Sequence, residues 1–106
     1  MNQWYALGLT LVCELPVLLL LARAQPVMRV LVIAASASGL THPVAWYAAS
    51  VLSPDEYPIG IWLLESGVVL AEALWYQFWL RPGIARSLLW SLLANAISFG
   101  IGWLLL

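Results

Sequence analysis

Charge is scarce in this chain. Four basic and five acidic residues among 106, with a net charge of -1, leave no basic stripe for nucleic acid and no acidic field for a basic partner. Cysteine occurs once, at Cys13 inside an apolar run, so one chain can form neither a disulfide nor a thiolate metal cluster. The single histidine, His42, excludes the paired histidines of an HxxxH or HExxH zinc motif. No G-x-S-x-G turn is present to hold a serine nucleophile, and we read no enzyme here. No basic residue precedes the first apolar run and Arg23 follows it, the reverse of a secretory leader, so that run is read as a helix of the mature protein.

What the chain has is apolar length. With 64% hydrophobic and 8% charged residues there is too little polar surface to coat a water-soluble domain. The composition predicts an all-α, four-helix transmembrane bundle forming one integral membrane domain over residues 1–106. Its spans are read at about 3–22, 27–52, 59–80 and 84–106. A helix of about 20 residues covers about 30 Å, enough for the hydrocarbon core. Arg23 to Pro26 makes the first turn, Ser53 to Pro58 an exposed polar loop, and Arg81-Pro82-Gly83 the last turn. Pro43 predicts a bend in the second span.

Arg23, Arg29, Arg81 and Arg86 all fall in or beside the first and third turns, while the second loop carries Asp55 and Glu56. The positive-inside rule then puts both termini outside, as expected of a multi-pass protein of a prokaryotic cytoplasmic membrane. The arginines also align two halves. Glu14 lies nine residues before Arg23 and Glu72 nine before Arg81; Ser38 lies nine after Arg29 and Asn95 nine after Arg86. This predicts two tandem helical hairpins related by a pseudo-twofold axis along the membrane normal.

Nine residues are about 13 Å of helix, so Glu14, Ser38, Glu72 and Asn95 are expected at one depth. Thr41, His42 and Ser98 are expected one turn further out, with Glu65 beside His42. Together these eight residues form the candidate intramembrane site. Charged side chains are costly in lipid, so they should face inward, and Glu14 and Glu72 in one low-dielectric layer should not both be ionised. On the fourth span Ser87, Ser91, Asn95, Ser98 and Gly102 trace one small polar face suited to close packing. The chemistry left open is a divalent metal on His42 and the glutamates, a proton relay, or a neutral hydrogen-bonded network that holds the helices together. Neither a cofactor nor a metal is specified by these residues. Trp46, Trp62, Trp75 and Trp79 are read as interfacial or packing residues, with a cation-binding aromatic box as the alternative.

Glu14-Leu15-Pro16, Thr41-His42-Pro43 with Trp46, Glu65 and Glu72 about Val68-Val69-Leu70, and Ala94-Asn95 with Ser98-Phe99 and Gly102 together resemble a group of small prokaryotic four-span membrane proteins. That pattern has an asparagine three residues before the threonine, where this chain has Ser38, and no activity comes with it. In length, span count and a glutamate in the first helix, Glu14, the chain is also similar to the small multidrug resistance transporters. In that family this position exchanges protons against cationic drugs. It departs from them in having Glu72 and the Thr41-His42-Pro43 run. The expectation is an accessory or assembly subunit of a larger membrane complex, meeting other membrane-protein subunits in the bilayer. The alternative is a proton-coupled small transporter acting as a homo-oligomer, with Glu14 and Glu72 as proton carriers.

Overall fold

The computed structural model describes residues 3–105, so Met1, Asn2 and Leu106, where the predicted fourth span ends, lie outside the described residues. Four helices run α1 (Gln3–Leu21), α2 (Val27–Ser50), α3 (Tyr57–Leu80) and α4 (Ile84–Leu105), each long and apolar enough to cross a membrane. The bundle is 43 Å along its longest axis, close to a bilayer with its headgroup regions.

Two boundaries differ from expectation by two residues, the start of α3 and the end of α2. Ser53 to Pro58 was expected to be loop throughout, yet Tyr57 and Pro58 are helical. Proline in the first helical turn loses nothing, because the amide hydrogen it lacks would have had no partner there. α2 stops at Ser50, two residues short of expectation, and runs as one helix through Pro43. At its far end α3 stops on Arg81, whose left-handed conformation (φ 53°) returns its amide to the Gln77 and Tyr76 carbonyls. Gly83 (φ 104°) completes the turn in a conformation that disfavours any side chain.

Each helix packs on two neighbours: α1 and α3 each touch α2 and α4, and no contact crosses either diagonal among the described residues. The interior is not filled evenly. Every buried residue among those described lies in the half of the bundle that carries the arginine turns, from Glu14 to Ala22, Val30 to Ser38, Glu72 to Leu80 and Ser87 to Asn95. There Leu18, Val30, Ile33, Tyr76, Leu80 and Trp90 close a dense apolar plug. The outward faces carry exposed leucine, valine, isoleucine and tryptophan, as a lipid-facing surface requires. In the other half the helices surround a chamber.

The candidate functional site

The chamber has a volume of about 780 Å³ and extends from Glu14, Glu72, Ser38 and Asn95 toward the end bearing the α2–α3 loop. Ala6, Ala49, Tyr57 and Trp103 line its far end. Its floor is the carboxylate layer, built by all four helices. Glu14 and Glu72 stand on the diagonal pair α1 and α3, each 2% exposed or less, and their hydrogen-bond donors stand on the other diagonal, α2 and α4.

Every carboxylate oxygen accepts a hydrogen bond from a neutral side chain. The Ser38 hydroxyl donates to Glu14 Oε1 (3.0 Å) and the Ser98 hydroxyl to Glu14 Oε2 (2.7 Å). Asn95 Nδ2 donates to Glu72 Oε1 (2.6 Å) and the Thr41 hydroxyl to Glu72 Oε2 (3.0 Å). Each glutamate therefore takes one donor from the return helix of its own hairpin and one from the other hairpin. Ser38 Oγ also lies 3.5 Å from Glu72 Oε2, so a single hydroxyl separates the two carboxylates. It has one hydrogen, and the shorter distance assigns that hydrogen to Glu14. Asn95 is held in turn by the Ser91 carbonyl (2.8 Å), and the Ser91 hydroxyl donates to the Val69 carbonyl (2.7 Å), which fixes α4 against α3.

Six of the eight sequence-predicted residues thus converge, in one layer instead of two. Thr41 and Ser98, expected a turn beyond the carboxylates, reach back to them because helical side chains lean toward the N-terminus on α2 and α4 only as far as short hydroxyls allow, and the glutamate side chains are long enough to meet them. His42 and Glu65 do not join. Both line the chamber, but no ion pair or hydrogen bond links them, so the expected pair is not made. The His42 ring lies 5.9 Å from that of Trp46, and its Nε2 is buried without a hydrogen-bond partner. Glu65, only partly buried, accepts no hydrogen bond from a described residue.

The stripe on α4 faces inward as expected, with Ser87 and Ser91 fully buried and Gly102 on the chamber wall. The tryptophans form no common box. Trp46 sits by His42, Trp62 contacts Phe99 (5.8 Å), and Trp75 and Trp79 contact each other (5.8 Å), with Trp75 donating to Ser36 (3.1 Å). Nor do three His, Cys, Asp or Glu side chains converge closely enough to hold a metal ion among the described residues, so the geometry lends the metal reading no support.

One buried polar group in the plug beneath the site was missed. Tyr76 is fully buried and its hydroxyl has no hydrogen-bond partner, although it follows Glu72 by one helical turn. That i+4 spacing was legible; which of the many aromatics would be enclosed was not. Compared with known proteins, the chain matches no family model, no curated protein and no solved structure, so its function must be read from this geometry.

Proposed function

We propose that this chain is a small proton-coupled membrane transporter whose substrate is a lipophilic amine, bound in the chamber with its cationic head at Glu14 and Glu72. The observation that carries the reading is the union of a ligand-sized, mostly apolar chamber with two buried carboxylates at its closed end. Two such carboxylates, a hydroxyl apart and surrounded by neutral donors, repel each other if both are ionised, so they hold a proton between them when the chamber carries no cation. An ammonium head entering the layer replaces that proton, and reprotonation from the opposite side expels it. Proton and amine compete for one pair of oxygens, which is the minimal requirement for exchange.

The tandem arrangement of the hairpins belongs to the same reading, and the burial pattern supports it. A shift of 57 residues carries the buried set of α2 (Val30, Ile33, Ala34, Ala37, Ser38) onto that of α4 (Ser87, Trp90, Ser91, Ala94, Asn95) without exception. A shift of 58 carries Glu14, Leu18 and Ala22 onto Glu72, Tyr76 and Leu80. Two similar halves around one site are the usual construction of a carrier that must present that site to both sides in turn. The arginine end, filled by the apolar plug, is then the closed side in this conformation. Four helices leave little protein to move against the plug, and a homo-oligomer supplies the missing frame.

The test is proton release. Adding dodecylammonium to the purified chain in weakly buffered detergent should liberate about one proton per amine bound. Glu14→Gln and Glu72→Gln should each reduce both binding and release. An accessory or assembly subunit, the other reading that the sequence raises, predicts instead no amine-linked proton release and a constant unrelated partner through mild-detergent purification.

A further inference from the structure

The outer half of the bundle is not equal on its two sides. Shifting by 58 places Leu7 opposite Glu65, and shifting by 57 places His42 opposite Phe99, so the extra carboxylate belongs to the α3–α4 hairpin alone. On the lipid-facing side of that hairpin is a second hollow of about 360 Å³ between α3 and α4, with Trp62, Ser66 and Ala96 on its walls. It shares Glu65, Asn95 and Phe99 with the central chamber. The same three residues therefore line both hollows, which meet at this partition between α3 and α4. Trp62, exposed to lipid, meets Phe99 ring to ring at 5.8 Å across this partition.

Glu65 is the anomalous member of the partition. A partly buried carboxylate with no hydrogen-bond donor and no cation beside it among the described residues is unfavourable as it stands, and a ligand that supplies a positive head relieves this. An apolar body is provided for in the groove, by Val69, Leu70 and Leu92. Asn95, the next polar group inward, already touches Glu72 at 2.6 Å, so a head group at Glu65 is one step from the inner carboxylates.

We propose that the chamber is loaded sideways from the bilayer through the opening between α3 and α4. A membrane-dissolved lipophilic amine docks its ammonium on Glu65, the Trp62 and Phe99 rings part, and the head passes inward to Glu72. This rests on the amine-binding reading above and adds the route and the docking residue.

The experiment uses the full chain in liposomes and dodecylammonium as the probe, with association followed by the intrinsic tryptophan fluorescence after rapid mixing. Ala96→Phe fills the groove from the lipid side. It should slow association about tenfold while leaving equilibrium affinity unchanged, because a narrowed path alters rates and not end states. Glu65→Gln should slow association by a similar factor. Gly39→Phe makes the same insertion at the corresponding position of the other hairpin, where an added Cβ meets nothing within 4 Å, and should change nothing. If Ala96→Phe and Glu65→Gln both associate at the parental rate while Glu72→Gln still abolishes binding, the lateral route is wrong and the amine site stands. If the parent binds no dodecylammonium, the amine site and the route fall together. Glu65→Gln, which changes one atom type at a partly exposed position, keeps the test decisive should Ala96→Phe fail to fold.

Discussion

Glu14 and Glu72 are tolerable inside this protein because short neutral side chains surround them, and the layer's stability depends on which donor is removed. Asn95 donates to Glu72 and is anchored on Ser91, whereas the Tyr76 hydroxyl, equally enclosed, donates to nothing. Asn95→Ala leaves a buried carboxylate oxygen short of its donor and should cost about 1–3 kcal/mol. Tyr76→Phe removes an unpartnered hydroxyl without opening a cavity and should raise stability by about 1 kcal/mol. Thermal or denaturant unfolding in a fixed detergent compares the two. A loss for Tyr76→Phe would mean that the hydroxyl has a working partner in the folded protein.

At the level of the elements, the two ends of the bundle are secured differently. At the arginine end the α1–α2 turn and the start of α2 serve the end of α3: Arg29 Nη2 donates to the Trp79 carbonyl (2.5 Å) and Gln25 Nε2 to the Leu80 carbonyl (3.1 Å), satisfying acceptors that a helix terminus leaves free. At the opposite end the α2–α3 turn is closed by the Ser53 amide, which donates to Glu56 Oε1 (3.0 Å), and by Leu52 packed over Gly60, where an added Cβ would lie 2.6 Å from Leu52. The Ser53 amide favours the ionised Glu56 carboxyl and holds it below the ordinary glutamate range. The turn's stability is therefore complete above the ordinary glutamate value and is lost as pH falls through the depressed one. Protection of the Ser53 amide, its exchange rate relative to an unstructured amide at the same pH, should fall on acidification through the glutamate range in the parent and show no such step in Glu56→Gln.

The whole molecule divides into a packed half and an open half, and its orientation decides which compartment the open half faces. The positive-inside rule, which would put the arginine turns inside, predicts that the chamber and the loop from Ser53 to Asp55 face outward. A membrane-impermeant thiol reagent applied from outside should label a cysteine at Asp55 and not one at Gly83, in a background lacking Cys13. Labelling at Gly83 alone would invert the orientation. Labelling of both from both sides would indicate copies inserted in opposite directions.

Helix number, span limits to within a few residues and the inward set Glu14, Ser38, Glu72 and Asn95 were legible in the linear sequence. Each follows from a local or one-dimensional quantity: apolar length against bilayer thickness, the cost of charge in lipid, and a constant rise from the arginine level. The eventual fate of His42 and Glu65 was not legible in this way. Depth along a helix gave both residues the same level, but pairing depends on the distance between helices, and these helices part around a chamber exactly where the two side chains would have to meet. Tyr76 shows the converse, a ring on α3 left without exposure where α2 and α4 pack closely against that helix. Sequence fixes height in the membrane through helical rise; only the tertiary structure decides lateral separation, because that is set by how side chains from different helices fill, or leave unfilled, the space between them.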